Sequence, residues 1–341
     1  TLLKNSGLLF YGNDLYLYRR EEFERQFKFL KEQVVGLGAI GWILGAPGTG
    51  KSATALAFIS ALDRSEWVIT WLHLGRRFNP VCLQFDGTWK YSCDLSDMSV
   101  VPKILEENFG NRKHIVFVDG FVSSILAHTT VSSFCHSWVK RDRPNRRLVI
   151  LCSMATGGQN TLDEDTVNNI KTHTVYSWYL AEFLRAVTFR EIFEQVKCFL
   201  DAHIQLSHAP ADRNEMVTSK FHFAGGSCRM MFSYSTSEVI VQIQNSVQGA
   251  SNIVDYILGR VGDQSNQVVN RLYSRYLNEF SVPKTSIVSR YASVLLAEAV
   301  GPDLVRHISD AIRGEMNPSM EGWIFEMLFF AKLRRGGVLL S

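Results

Sequence analysis

The stretch that decides the fold is Gly45-Ala46-Pro47-Gly48-Thr49-Gly50-Lys51-Ser52, a complete match to the GxxxxGK[ST] pattern of phosphate-binding loops. Its glycines allow successive backbone N–H groups to turn inward around an anion, because no Cβ obstructs them. The apolar run 39–44 before it predicts a strand, and residues 51–62 predict a helix. The N-terminal partial positive charge of that helix would face the phosphates. The sequence therefore predicts a strand–loop–helix unit that binds a nucleoside triphosphate.

Most positions of this loop have an expected contact with the nucleotide or the metal ion. Lys51 is expected to reach the β and γ phosphates, and the Ser52 hydroxyl is expected to complete the coordination shell of Mg²⁺. ATP is the expected nucleotide on abundance alone, because no residue pattern in the sequence indicates a base. The predicted phosphate-binding residues are Gly45, Pro47, Gly48, Thr49, Gly50, Lys51, Ser52 and Ala53.

A second element is the apolar run 115–118, which ends in Asp119. A carboxylate at the carboxyl end of a buried strand lies where magnesium is held in nucleotide-binding α/β sheets. Asp119 and Ser52 are therefore the predicted metal ligands. The next residue is Gly120, whereas many P-loop ATPases carry a glutamate there that polarises the attacking water. Nucleotide binding is unaffected by this difference, but hydrolysis is put in doubt.

Two further positions are candidates for contacts with the γ-phosphate, each with an ordinary alternative. Ser153 ends the predicted strand 148–153 and would lie near the phosphate or the attacking water, but single serines often end strands. Arg229 follows paired glycines at a predicted helix start and could project from a lid, or be a surface arginine. The predicted catalytic residues are Lys51, Asp119, Ser153 and Arg229.

Other polar groups carry weaker signals. The loop 141–147 holds four arginines, which indicate a solvated loop, an arginine finger or a contact with DNA phosphates. His128, His136 and His173 lack partners at ligand spacing, and none of the six cysteines forms a CxxC pair, so we expect no zinc site. The cysteines instead read as reduced core thiols of an intracellular compartment.

The composition indicates an ordinary globular chain. Of 341 residues, 46% are hydrophobic and 20% charged, which argues against disorder. The net charge of +3 neither predicts a polyanionic partner nor excludes a local basic patch. The longest uncharged stretch, 33–50, carries too many glycines for a membrane span, and no signal peptide is visible. We expect no membrane partner, and the oligomeric state stays open.

Alternating strand and helix patterns up to residue 180 predict a parallel sheet covered on both faces. The fold class is therefore α/β, a three-layer P-loop NTPase sheet followed by a mainly helical lid or C-terminal domain. The predicted domains are a helical lead-in over 1–35, the P-loop core over 36–180, the helical lid over 181–316 and a further segment from 317. The lead-in is predicted to contain a helix over 14–35. The core is predicted to contain helices over 51–62, 99–109 and 122–139, strands over 39–44, 67–74, 114–119, 148–153 and 174–180, and a hairpin over 81–95.

Helical patterns dominate the second half of the chain. One strand is predicted near 217–223. The predicted helices cover 181–203, 226–233, 236–260, 264–278, 287–298 and 302–313.

With these motifs placed, the chain resembles the NTPase module of the Crinkler family, effectors of oomycete and fungal pathogens related to kinetoplastid retrotransposon-hot-spot proteins. The resemblance is carried by GAPGTGKS (45–52), IVFVDG (115–120), FAGGSCRMMF (223–232) and NPSMEGWIFEMLFF (317–330). The first passage is common to P-loops in general, whereas the last two are more specific.

The resemblance has several implications. The family's glycine-glycine-serine block and arginine fall on Gly225, Gly226, Ser227 and Arg229, which favours the lid role of Arg229. The family also has glycine after its magnesium-binding aspartate. Its NTPase is typically followed by a nuclease-type domain, in which Glu326 would match an acidic position. Because this sequence stops at Ser341 without the later nuclease residues, we expect this piece alone not to cut DNA.

The function predicted from these observations is a magnesium-dependent regulatory ATPase, in which closure of the helical domain transmits the bound state. The alternatives are a nucleotide-dependent switch that does not hydrolyse, which Gly120 favours, and a small-molecule kinase, for which no acceptor pocket is visible. The resemblance further implies secretion, entry into a host nucleus, and nucleic-acid or host-protein partners reached through the full-length protein.

Overall fold

The computed structural model describes residues 6, 15–75, 80–87, 89–95, 97–106, 112–153, 162–206, 212–249, 269–277, 280–300, 329 and 332–333. The chain divides into two compact units. The first unit comprises Thr1–Gly45 and Gly50–Val175, and the second comprises Ala46–Thr49 and Tyr176–Ser341. Four residues of the phosphate loop therefore belong to the second unit.

The first unit is built on a mostly parallel sheet. Its strands are β1 (Ile40–Leu44), β2 (Trp67–His73), β3 (Val81–Asp86), β4 (Trp89–Asp94), β5 (Lys113–Phe121), β6 (Arg146–Cys152) and β7 (Ile170–Thr174). Their order across the sheet is β4-β3-β2-β5-β6-β1-β7. Strands β2, β5, β6, β1 and β7 are parallel, whereas β3 and β4 pair antiparallel as the predicted hairpin.

Alternate residues of the central strands enter two separate hydrophobic clusters, as expected for a sheet buried on both faces. In β5, Val116 and Val118 belong to one cluster, and Ile115 and Phe117 belong to the other. The helices of this unit are α1 (Glu21–Phe29), which continues as a π-helical turn (Leu30–Gly36), α2 (Lys51–Ala61), α3 (Val101–Leu105), α4 (Leu126–Arg141) and α5 (Leu162–Asn168). Residues of α3 and α4 cover the first cluster, and residues of α2 and the π-helical turn cover the second. The predicted α/β class is confirmed.

The last strand of the sheet lies earlier than predicted. The β-branched and aromatic run 174–180 predicts a strand, but β7 ends at Thr174 because residues 170–174 pair in register with β1. The backbone N–H of Val175 still donates to Leu44 O at 2.8 Å. Beyond Val175 the chain belongs to the second unit, where Ser177 N donates to Arg275 O at 2.7 Å.

The second unit is mainly helical, with one antiparallel hairpin. Its helices are α6 (Leu180–Ala186), α7 (Arg190–Val196), α8 (His203–Leu206), α9 (Arg213–Ala224), α10 (Cys228–Phe232), α11 (Thr236–Gln248), α12 (Val269–Leu272) and α13 (Arg290–Val300). The hairpin pairs β8 (Tyr273–Leu277) with β9 (Pro283–Ile287). The predicted helix 181–203 is interrupted, since α6 and α7 are separate.

Two predictions for this unit are wrong. Residues 217–223 were predicted as a strand, yet they lie in α9, which Asp212 caps by accepting a hydrogen bond from Glu215 N at 2.8 Å. The predicted helix 264–278 ends at Leu272, because residues 273–277 pair with β9. The predicted helix over 302–313, the end of the predicted helix 236–260, and Glu326 lie outside the described residues.

No helix within the described ranges is long and apolar enough to span a membrane.

Candidate nucleotide-binding site

The phosphate loop follows β1, and α2 begins at Lys51 directly after Gly50. The side-chain amine of Lys51 donates to Gly45 O at 2.7 Å, so the lysine lies back along the loop. The start of α2 is held by Gln26, a fully buried residue of α1 whose Nε2 donates to Lys51 O at 2.9 Å. The lysine backbone is therefore fixed by a neighbouring helix, while its side chain lies along the loop.

The two predicted metal ligands meet in the first unit. Asp119 lies in β5 with only 6% of its surface exposed. Ser52 Oγ donates to Asp119 Oδ1 at 2.6 Å, although the two residues are 67 positions apart in the chain. The fold thus brings together the hydroxyl and the carboxylate that were selected from separate motifs.

A third member of this group, His73, was missed in the sequence. His73 is the last residue of β2 and stands opposite Asp119 in the parallel β2–β5 register. The distance between His73 Nδ1 and Asp119 Oδ2 is 2.8 Å. The signal that could have found it is a polar residue at the end of a predicted strand, but the strand order that makes β2 the neighbour of β5 was not readable.

Gly120 stands where many P-loop ATPases carry a glutamate, and the backbone explains the glycine. Its φ is +80°, and a Cβ at this position would lie 2.8 Å from Leu74 O. The register between β5 and β6 also shifts between Asp119 and Phe121. A side chain is therefore disfavoured twice, by the left-handed conformation and by a backbone oxygen.

Ser153 directly follows β6, the strand that lies between β1 and β5 in the sheet. Asp119 pairs with Leu151, so Ser153 is two residues beyond the partner of the carboxylate. Carboxyl ends of parallel strands share one edge of the sheet. The structure therefore places Ser153 at the edge that carries the phosphate loop and Asp119.

The remaining loop residues have their contacts in the second unit. Ser227 Oγ donates to Pro47 O at 3.2 Å, and the backbone N–H of Cys228 donates to Gly48 O at 2.9 Å. A Cβ at Gly48 would lie 2.3 Å from Ser227 Oγ, so the approach is close. The first residues of α10 thus hold two carbonyl groups of the loop.

Arg229 is the next residue of α10, and its backbone runs beside the same glycine. Its N and Cβ would lie 3.0 and 3.1 Å from a Cβ at Gly48. The Arg229 side chain is exposed, and with the described residues it forms no hydrogen bond or salt bridge. The structure therefore brings Arg229 to the phosphate loop with an uncommitted charge.

The arginine-rich loop is used for internal contacts. Arg146 donates to Trp138 O at 2.9 Å, and Arg141 forms a salt bridge with Glu106 at 2.8 Å. Arg147 is buried and donates to Val35 O at 3.4 Å. Because their side chains form these internal contacts, Arg141, Arg146 and Arg147 are not favoured as an arginine finger or as DNA contacts.

The histidines that the sequence left unassigned are structural in character. Burial lowers the pKa of His136 to about 4, with a smaller contribution from Lys140, and lowers that of His173 to about 4. His128 Nδ1 accepts from Val122 N at 3.1 Å. The described part of the chain contains no group of three or more His, Cys, Asp or Glu that could hold a metal ion by itself.

The Asp119 site suits magnesium shared with a nucleotide. Magnesium prefers oxygen ligands and is usually held by one or two carboxylates together with substrate phosphates and water. Asp119 and Ser52 supply a carboxylate and a hydroxyl, and within the described residues Asp119 forms no salt bridge with lysine or arginine. The charge of the carboxylate is therefore left for a cation.

Comparison with known proteins gives limited help. No protein-family model matches the chain, and no curated protein matches it. Among solved structures, a variant of RuvB from Thermotoga maritima is 12% identical over 95% of this chain and 90% of that chain, with a TM-score of 0.38. ORC1 of Aeropyrum pernix, in complex with DNA, is 9% identical over 94% and 85%, with a TM-score of 0.37. PCH-2 of C. elegans is 13% identical over 68% and 60%, with a TM-score of 0.31.

Likenesses at these TM-scores carry no argument about this chain, and none supports the Crinkler resemblance. The class rests on the molecule itself. A mostly parallel sheet, a phosphate loop between its β1 and α2, and a strand-end carboxylate bonded to the loop serine define the P-loop NTPase fold.

Proposed function

We propose that this protein binds ATP together with Mg²⁺ and hydrolyses it as a regulatory NTPase. The observation that carries the proposal is the 2.6 Å hydrogen bond between Ser52 and Asp119, because it joins the phosphate loop to the carboxylate of another strand. A phosphate loop without such an acid would support anion binding alone. The pair supports a site for a metal–nucleotide complex.

Each side chain has a defined task in this proposal. Lys51 would turn its ammonium from Gly45 O to the β and γ phosphates, and the loop N–H groups would bind the phosphate oxygens. Ser52 and Asp119 would hold Mg²⁺, which when bound neutralises charge on the β and γ phosphates. The residues themselves supply orientation and electrostatic stabilisation, which account for most of the catalysis of phosphoryl transfer.

Arg229 and Ser153 are proposed to contact the γ-phosphate. Arg229 lies beside Gly48 with no partner among the described residues, and a guanidinium binds phosphate oxygens through two parallel N–H bonds. Ser153 follows the strand between β1 and β5. Both placements support the proposal, and both predict that loss of the side chain weakens ATP binding more than ADP binding.

The regulatory part of the proposal rests on the phosphate loop. Residues Ala46–Thr49 belong to the second unit, where Ser227 and Cys228 hold the Pro47 and Gly48 carbonyls. Binding of phosphate to this loop would therefore act directly on the second unit. Identical proteolytic patterns of residues 181–341 with ATP and with ADP would contradict this coupling.

A switch that binds nucleotide without turnover is the second candidate, and Gly120 is the observation that favours it. The backbone there disfavours the glutamate that would polarise water. Both candidates share the same binding site and differ only in the chemical step.

Steady-state phosphate release with ATP and Mg²⁺ tests the proposal. We expect turnover in the wild-type protein and its loss, by about 10²–10³-fold, in Lys51→Ala, as for removal of one strong transition-state donor. Lys140→Ala, an exposed lysine at the end of α4, is the matched control and should keep full turnover. Lys51-dependent nucleotide binding without turnover would favour the switch, and absence of both would overturn the proposal.

The effector context is a further proposal that rests on the quoted passages alone. A Crinkler-type module would act inside a host cell, in its nucleus, beside nucleic acid or a host protein. A fluorescent fusion of the full-length protein, expressed in host cells, tests the location, and exclusion from the nucleus would contradict it.

A further inference from the structure

We propose that His73 is the positioning residue of the magnesium carboxylate. It would fix Asp119 through Oδ2 and so hold the carboxylate in the orientation in which Oδ1 meets Ser52. This inference rests on the proposed function of the site, since it concerns how the same metal ligand is oriented. It assigns a purpose to a residue that no sequence motif includes.

The position of His73 follows from the sheet. Strands β2 and β5 are parallel neighbours, and every residue from Trp67 to His73 is paired with one from Lys113 to Asp119. Paired residues of adjacent parallel strands project from the same face of the sheet. The last pair of this ladder is His73 with Asp119, which places the imidazole directly beside the carboxylate.

The hydrogen bond fixes both partners. A carboxylate that holds a cation can only accept hydrogen bonds, so in this proposal the 2.8 Å contact is a donation from His73 Nδ1 to Asp119 Oδ2. The other oxygen of Asp119 accepts from Ser52 Oγ at 2.6 Å. The carboxylate is therefore held at both oxygens, by groups from two different elements, and its side-chain torsions have little freedom.

Among the described residues, His73 is the one side chain that contacts Asp119 Oδ2. Asp119 is 6% exposed and forms no salt bridge with the lysines or arginines that the structure describes. The next residue, Gly120, has no side chain, and its conformation disfavours one. Partners that bond to a ligating carboxylate typically change metal affinity by 10–100-fold when they are lost.

The test is the magnesium dependence of nucleotide binding, measured with a fluorescent ATP analogue. We expect His73→Leu to raise the Mg²⁺ concentration at half-saturation by about 10–100-fold, while affinity for the analogue in EDTA stays unchanged. His73→Asn should remain within a few-fold of wild type, because its amide N–H occupies nearly the place of Nδ1. His203→Leu, in α8, is the matched control and should change neither value.

The outcomes separate this inference from the function on which it rests. If Asp119→Asn shifts the magnesium dependence but His73→Leu does not, the positioning role is wrong and the site stands. The positioning role is also wrong if His73→Leu lowers the affinity for the analogue equally in EDTA and in Mg²⁺. It is wrong as well if the magnesium dependence of His73→Asn is shifted as far as that of His73→Leu. If wild-type protein binds no analogue with Mg²⁺, the proposed function itself fails. If His73→Leu does not fold, the same magnesium titration is carried out with His73→Ala.

Discussion

Two clusters in this molecule combine an aspartate, a hydroxyl group and a nitrogen donor, one in each unit. The Asp119 cluster contains Asp119, Ser52 and His73. Its aspartate has a single donor on each oxygen, and the imidazole side chain is 28% exposed. Among the described residues no lysine or arginine pairs with this aspartate, and His73 is its one nitrogen partner there.

The Asp201 cluster contains Asp201, Thr236 and Lys220. Asp201 Oδ1 accepts from the Thr236 backbone N–H at 2.8 Å and from its Oγ1 at 2.5 Å. The ammonium of Lys220 is fully buried and donates to Thr236 Oγ1, to Asp201 Oδ1 and to Tyr234 O at 3.0, 3.4 and 2.9 Å. All three of its protons are used, and its charge is balanced by the aspartate.

The difference lies in where the charge is neutralised. Burial lowers the pKa of Lys220 to about 8, although Asp201 acts in the opposite direction. The buried ammonium of Lys220 uses all three of its protons on groups of its own unit, so it holds segments of chain together and has no donor left for a ligand. A nearly buried carboxylate without a cation is costly unless a ligand supplies one. This difference supports a structural role for the Asp201 cluster and the proposed metal-binding role for the Asp119 cluster.

The largest expected effect comes from breaking the Asp201 cluster. Lys220→Met should lower the free energy of unfolding by about 3–5 kcal/mol, because it leaves the carboxylate of Asp201, only 17% exposed, without its cation. Urea denaturation measures this change. The nucleotide affinity of the protein that remains folded should be unaltered. A decrease of less than about 1 kcal/mol in the free energy of unfolding would show that the Lys220–Asp201 pair is dispensable for stability.

Asp119→Asn should have the opposite effect to Lys220→Met, with stability retained and turnover lost. The amide oxygen can still accept from Ser52, so the free energy of unfolding should change little. Phosphate release should fall by about 10²–10³-fold, because the charge that would hold Mg²⁺ is lost. Turnover assays beside thermal unfolding test this. Loss of stability with turnover intact would reverse our assignment of the two clusters.

The buried ammonium should also make stability depend on pH. The folded pKa of Lys220 is about 8 and its ordinary value is 10.5, so between these values the unfolded chain binds more protons. The free energy of unfolding of wild type, relative to Lys220→Met, should therefore rise between pH 8 and 10.5, by up to about 3 kcal/mol. Urea titrations across this range measure it. If the difference in free energy of unfolding between wild type and Lys220→Met does not change with pH, the Lys220 amine is not desolvated in the folded protein.

Restoring the usual glutamate should fail. Gly120→Glu should destabilise the protein by about 2 kcal/mol and should not raise turnover, because the left-handed backbone and Leu74 O disfavour the side chain. Gly87→Ala is a useful comparison for Gly120→Ala, since Gly87 also has positive φ but no atom within 4 Å of a Cβ. If Gly120→Ala and Gly87→Ala destabilise the protein equally, the contact with Leu74 O does not contribute to the cost of a side chain at Gly120.

The smallest expected effect concerns the support of the loop. Ser227→Ala should cost about 1 kcal/mol of stability, because the N-cap of α10 is lost. Ser235→Ala, which removes the N-cap of α11, should cost a similar amount. Only Ser227→Ala should weaken nucleotide binding, since Ser227 alone bonds to Pro47 O. Equal affinities in both variants would argue against a role in the loop.

The sequence was most informative where local pattern and tertiary structure agree. Strands β1, β2, β5 and β6 and helix α2 were predicted close to their observed bounds, because buried parallel strands are continuous apolar runs. Ser52 and Asp119 were selected as metal ligands from motif chemistry alone, and the structure joins them by a hydrogen bond. That bond requires the start of α2 and the carboxyl end of β5 to lie close together.

It was least informative where a distant partner decides the structure. Residues 217–223 were predicted as a strand, but they are helical, and Lys220 donates to Asp201 and Thr236, which no local pattern reveals. Tyr273 and its neighbours look helical until β9 supplies a partner. His73 could be recognised only once β2 was known to lie beside β5. In each case the missing information is a pairing between segments far apart in the chain.

The contacts of the loop have a consequence for the order in which the protein is made. Pro47 and the serine that bonds to its carbonyl are 180 positions apart. During synthesis the entire GAPGTGKS motif leaves the ribosome long before Ser227 and Cys228 exist, and contacts of such long separation form late in folding. A nascent chain carries the phosphate motif without the groups that hold its carbonyls. The contacts that hold the Pro47 and Gly48 carbonyls can therefore form only after residues 227 and 228 have been synthesised.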